Sequence, residues 1–123
     1  MSATTALLVA LGAAVGAPAR FLTDELLAAR LGRRFPWGTL AVNLVGSLVL
    51  GLLAGRAGDD RAGHLFVLAG TGFCGAFTTA STFAWEVVAL AETGRGRRAV
   101  TYVGASLLLG VALAAAGYAV SSP

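Results

Sequence analysis

Cysteine is almost missing from these 123 residues, with Cys74 the only one. One thiol cannot make a disulfide or a cysteine-based metal site within a single chain, and Cys74 reads as a small buried hydrophobe. Lysine is absent altogether, and all nine basic residues are arginine. Charge is scarce, at 12% of residues, which leaves no room for a soluble domain. There is one histidine, His64, near a membrane surface, where it reads as an interface residue rather than a pH switch. No carboxylate pair, Ser/His/Asp set, phosphate loop or His/Cys cluster is present, so enzyme chemistry has no seat. No nucleic-acid motif accompanies the arginines.

What is present is apolar. Hydrophobic residues make up 57% of the chain and the mean hydropathy is +0.80. Four runs, Met1–Ala19, Phe35–Gly55, Ala62–Trp85 and Ala99–Pro123, are long and apolar enough to cross a bilayer. The first lacks the basic start of a cleaved signal peptide and reads as a membrane helix. The expectation is an all-α membrane protein, a single four-helix domain over 1–123. Its helices are expected at about 4–30, 36–55, 62–92 and 98–120. Arg30, Arg33, Arg34, Arg95, Arg97 and Arg98 fall on one face, against Arg56 and Arg61, diluted by Asp59 and Asp60, on the other. The positive-inside rule then puts loops 1–2 and 3–4 in the cytoplasm and both termini outside.

The third run holds the least membrane-like stretch, Gly72-Phe73-Cys74-Gly75-Ala76-Phe77-Thr78-Thr79-Ala80-Ser81-Thr82-Phe83. Between Gly75 and Thr79 the pattern predicts a helix that breaks and restarts. Non-helical backbone at membrane depth needs burial in protein or a wet cavity. Two readings follow, an ion or substrate site and a Gly/Ser/Thr helix-packing face.

Helix 1 is expected to kink at Pro18. Arg20 and Asp24 are spaced to meet on one face, and Arg20 either snorkels to the interface or lines an anion-attracting vestibule. Helix 2 opens with Pro36-Trp37-Gly38 and carries Thr39, Asn43, Ser47, Gly51 and Gly55 at fourfold spacing, a close-packing face. Asn43 within it is either an interhelical clamp or a pore-lining donor. Glu86 ends the third helix's polar stripe, and Tyr102, Ser106 and Gly110 share a face of helix 4. The neutral donors Asn43, Thr78, Thr79, Ser81, Thr82, Tyr102 and Ser106 suit a small hydrated anion that must bind and leave. Phe77 or Phe83, edge-on, adds positive quadrupole. Broken-helix carbonyls would instead suit a cation.

Three motifs carry a resemblance. They are Gly16-Ala17-x-x-Arg20, Trp37-Gly38-Thr39-Leu40-x-Val42-Asn43-x-x-Gly46-Ser47, and Gly72-Phe73-Cys74-Gly75-x-x-Thr78-Thr79-x-Ser81-Thr82-Phe83. With their spacing, the chain resembles the Fluc fluoride-channel family, also called CrcB, along essentially its whole length. The resemblance implies a multi-pass protein of a prokaryotic cell membrane that lets fluoride leave passively. It implies an antiparallel dimer with two pores and a central sodium ion held by the backbone carbonyls of Gly75 and Thr78. It also implies a fluoride path past Asn43, Phe83 and a polar track of Glu86, Tyr102 and Ser106, with Ser81, Thr82 and Thr79 nearby and Arg20 at the vestibule. The sequence departs from the family at Ala80, where a first phenylalanine is usual, and at Gly110, where a second track hydroxyl is usual. A degenerate structural partner and, more weakly, a small proton-coupled exporter are the alternatives. The arginine bias and Ala80 together favour a heterodimer with a similar, oppositely oriented chain over a homodimer.

Overall fold

The computed structural model describes residues 2–57 and 63–123. Asp59, Asp60 and Arg61 of the second loop, and the expected helix start at 62, lie outside the described residues. Helix α1 spans Ala3–Leu31, α2 Trp37–Ala57, α3 Gly75–Phe77, α4 Ser81–Glu92 and α5 Gly96–Ser121, with a π-helical segment, Phe66–Cys74, before α3. No strand occurs among the described residues. Four spans are long and apolar enough to cross a membrane: α1, α2, the stretch Phe66–Glu92, and α5. Each exceeds 18 residues, and about 20 are needed to cross the hydrocarbon.

Local chemistry sets the helix ends. The Ser2 hydroxyl accepts the Thr5 N–H at 3.1 Å and caps α1. Gly32 ends it at φ +84°, a conformation that side chains resist, and its N–H donates to the Ala28 carbonyl. Pro18 sits within α1, and helical assignment runs unbroken through it.

Glycines fix the packing. A Cβ on Gly12 would overlap the Leu68 carbonyl and stand 2.6 Å from the Phe73 nitrogen. One on Gly72 would stand 2.9 Å from the Val9 carbonyl, so α1 lies directly on the π segment. On the other side of the bundle, a Cβ on Gly117 would stand 2.7 Å from the Leu48 carbonyl and 2.9 Å from the Leu52 nitrogen. Gly51 lies against Ala114, and Gly55 against Tyr118 and Ser121, completing the seam of α2 with α5. The fourfold-spaced face of α2 is therefore divided. Its glycines take α5, Asn43 meets the broken helix, and the Ser47 hydroxyl turns back to the Asn43 carbonyl.

Leu40, Leu90, Ala99 and Tyr102 form a small buried core, ringed by Phe35, Leu44, Phe83, Val87 and Ala105. Large apolar side chains cover much of the outside, including Leu108, Val111 and Val120. Four helices that cross a membrane can leave such side chains facing lipid or a partner, since neither carries the penalty that water would.

Candidate functional site: a clamped helix break beside a groove

The third span stops being helical at Thr78, whose backbone is extended at φ −86°, ψ 166°, and helix resumes at Ser81. The π-helical turns lead into this break. The Gly75 N–H still reaches back to the Gly70 carbonyl, five residues earlier. Within the break, the Thr79 N–H donates to Asn43 Oδ1 at 2.9 Å, and Asn43 Nδ2 donates to the Thr79 carbonyl at 3.1 Å. The amide thus stands in for a neighbouring peptide, and the fixed polarity of the Thr79 backbone sets which way it points. The Thr79 hydroxyl accepts the Thr82 N–H at 3.3 Å and so starts α4. The Thr78 hydroxyl donates to the Cys74 carbonyl at 2.7 Å. Its methyl fills the space left by Gly46, where a Cβ would collide with it. Asn43 is the interhelical clamp that one sequence reading proposed, and it also borders the adjoining groove, as the other required.

That groove, about 380 Å³, runs between α2, the broken span and α5. Asn43, Ser47, Thr78, Thr79, Phe83 and Ser106 line it, and so does Ala80, whose short side chain leaves it open. The Ser106 hydroxyl is shielded from solvent and has no hydrogen-bond partner. One turn earlier, Tyr102 is wholly buried and donates to Glu86 Oε1 at 3.0 Å. Phe83 packs on Tyr102 at 4.9 Å between ring centres. Thr39, which the sequence reading left to helix packing, is 5% exposed and lies beside the Glu86–Tyr102 pair. Its place four residues before Asn43 was the available signal. A Cβ on Gly110 would meet only the Ser47 hydroxyl, at 3.6 Å, so this position has room for a side chain.

Two further cavities meet this line. One, about 250 Å³, opens at the charged end between Asp24, Arg33, Trp37, Trp85 and Glu86. The other, about 210 Å³, places Arg20 with Thr39, Thr79 and Thr82. Ser81 is exposed and borders none of these three.

Three expectations need correction. Phe77 is buried and stacked on Phe73 at 5.3 Å, so it belongs to packing and not to the lining. Arg20 and Asp24 share a cavity but make no ion pair; among the described residues the ion pair formed is Arg33–Glu25. Asp24 instead packs on α2 where Gly38 lacks a side chain. The break expected between Gly75 and Thr79 does not begin at Gly75. Gly75 is helical, at φ −60°, ψ −39°, and exposed, and an added Cβ would meet nothing within 4 Å. Nothing within this subunit demands a glycine there.

Residues 7–118 match the family described as "CrcB-like protein, Camphor Resistance (CrcB)". A Streptomyces avermitilis protein named fluoride-specific ion channel FluC 1 is 51% identical over 112 residues, covering 90% of each chain. One of the same name from Frankia casuarinae is 45% identical over 121 residues and covers 94% of each. Another from Geobacillus kaustophilus is 49% identical over 112 residues, 91% of this chain and 93% of the relative. With a match spanning nearly all of its length and relatives this similar, the chain belongs to the CrcB family of multi-pass bacterial membrane proteins, which are channels rather than enzymes.

Proposed function

We propose that this chain is one subunit of a passive fluoride-selective channel that lowers cytoplasmic fluoride. The observation that carries the reading is the shielded, unpartnered Ser106 hydroxyl in a largely apolar groove beside a helix break, where the other neutral donors are held by bonds within the protein. A buried hydroxyl without a partner is costly, and a passing anion can accept its hydrogen bond. Donors without fixed charge let that anion leave again. The relatives' printed specificity supplies the ion. From the groove the path continues through Phe83 and Tyr102 to Glu86, where it meets the charged-end cavity. Arg20, beside Thr79 and Thr82, draws anions toward the break. Ser81 plays no part in the lining of this subunit.

The subunit pairs with an oppositely oriented one, and a central sodium ion sits where the two helix breaks meet. Among the described residues, no backbone N–H donates to the Gly75 or Thr78 carbonyl, because the Thr79 N–H is turned to Asn43 and the Thr82 N–H to the Thr79 hydroxyl. Free carbonyl oxygens are what a hard cation takes. Bound there, the ion supplies fixed positive charge at the centre of the assembly. Arginines divide six against two between the loop faces, and the groove lacks a phenyl ring at Ala80. Both favour a related but different chain as the partner.

The test is fluoride efflux from loaded liposomes, read with a fluoride electrode. Efflux with this chain alone indicates self-pairing. Efflux only with a co-purified homologous subunit indicates the mixed pair, and none in either case sinks the channel reading. Within the path, Tyr102→Phe removes the donor to Glu86 and is expected to slow efflux. It should also cost about 1.5–3 kcal/mol of stability, as for a hydrogen bond to a charged group. Tyr118→Phe, at an exposed ring, is the control. Equal effects from the two would remove Tyr102 from the path.

A further inference from the structure

Four arginines gather in one place for no reason that the channel path requires. Arg34, from the loop after α1, faces Arg95, Arg97 and Arg98, from the turn into α5, across a cavity of about 560 Å³. Gly94 is the fifth lining residue, and among the described residues no carboxylate borders the cavity. The turn is built to hold this arrangement. Gly94 takes φ +77°, the Arg95 N–H returns to the Leu90 carbonyl at 2.9 Å, and the Thr93 hydroxyl donates to the Ala89 carbonyl at 2.8 Å. α5 then begins with no side-chain cap and no acidic residue in its first turn. Its free N–H groups add positive potential to that of the guanidiniums. Arg33, by contrast, is turned away to Glu25.

Orientation in the membrane accounts for the number of arginines on this face. It does not require four of them, from two separate loops, to line one cavity. Below the cavity, along α5, Val100, Leu108 and Val111 are exposed, and Leu31 is exposed at the end of α1. Clustered guanidiniums above an apolar strip match the two ends of an amphiphile. Guanidinium forks bind phosphate oxygens in pairs.

We propose that this cavity is a binding site for the phosphate group of an anionic phospholipid, whose acyl chains lie along the apolar strip of α5. The free phosphate ion has the same headgroup chemistry but nothing to place on that strip.

Lipid retention in detergent tests this, because orientation plays no part there. The full-length protein is incubated with equal phosphatidylglycerol and phosphatidylcholine, and retained lipid is measured by native mass spectrometry. Phosphatidylglycerol should be preferentially retained. Arg97→Gln and Arg98→Gln should each weaken it roughly fivefold, the effect of one arginine at an anionic surface. Arg30→Gln and Arg56→Gln, which remove the same charge outside the cavity, should leave retention unchanged. Equal loss from all four variants would mean net charge alone and overturn the site. So would equal retention of the two lipids. Displacement of phosphatidylglycerol by equimolar inorganic phosphate would overturn the lipid assignment. Resistance to it would support the contribution of the acyl chains.

Discussion

Asn43→Ala should stop fluoride efflux and destabilise the subunit together. Asn43 makes both hydrogen bonds that the Thr79 backbone has across the break, at 2.9 and 3.1 Å. Alanine leaves that N–H and C=O without partners at membrane depth. Each such group costs roughly 1–3 kcal/mol when shielded, so a loss on the order of 2–6 kcal/mol is expected. The Thr79 hydroxyl that caps α4 would shift with its backbone, and so would the groove wall that Thr78 and Thr79 form. Asn43→Asp keeps the acceptor for the Thr79 N–H but loses the donor to the carbonyl and adds a negative charge to the groove. A carboxylate facing that carbonyl at membrane depth should assemble no better than Asn43→Ala and should also repel an anion. Thermal unfolding and efflux from reconstituted protein give the two readouts. Undiminished efflux from well-assembled Asn43→Ala would end the argument that the clamp and the path share this residue.

Gly12→Val should prevent the chain from folding, whereas Gly75→Ala should leave the subunit intact. The two glycines differ in what surrounds them. A Cβ on Gly12 would overlap the Leu68 carbonyl and stand 2.6 Å from the Phe73 nitrogen. Both are backbone atoms, which cannot swing aside as a side chain can. Relief would require α1 to lift off the π segment and lose the contact along Gly16 and Gly72. Overpacking in a well-filled interior costs about 1–3 kcal/mol even where side chains can adjust, and more is expected here. Gly75→Ala meets open space in a helical conformation that alanine prefers. Size-exclusion profiles of the two variants make the comparison. A monodisperse, native-like Gly12→Val protein would show that the seam is looser than its geometry.

The four spans and the break in the third were legible in the sequence. Length, apolarity and local backbone preference are properties of neighbouring residues, and the membrane admits few alternatives once they are known. Small residues at fourfold spacing likewise announced close packing along α2. What periodicity could not supply was the partner of each face. Asn43 and Thr79 lie 36 positions apart, and their pairing depends on how α2 is rotated against the broken span. Phe77 and Phe73, four residues apart in one span, stack along it, whereas Phe83 meets Tyr102 because α4 packs on α5. The packing of α1 on the π segment leaves no room for a side chain at Gly12, while an added Cβ at Gly75 meets nothing within 4 Å. The approach of the first loop to the start of α5 brings Arg34 to Arg95, Arg97 and Arg98, which in the sequence are only charges on the same side of a membrane. Helix crossing and rotation are set by the sum of contacts over whole surfaces, and only the tertiary structure decided them.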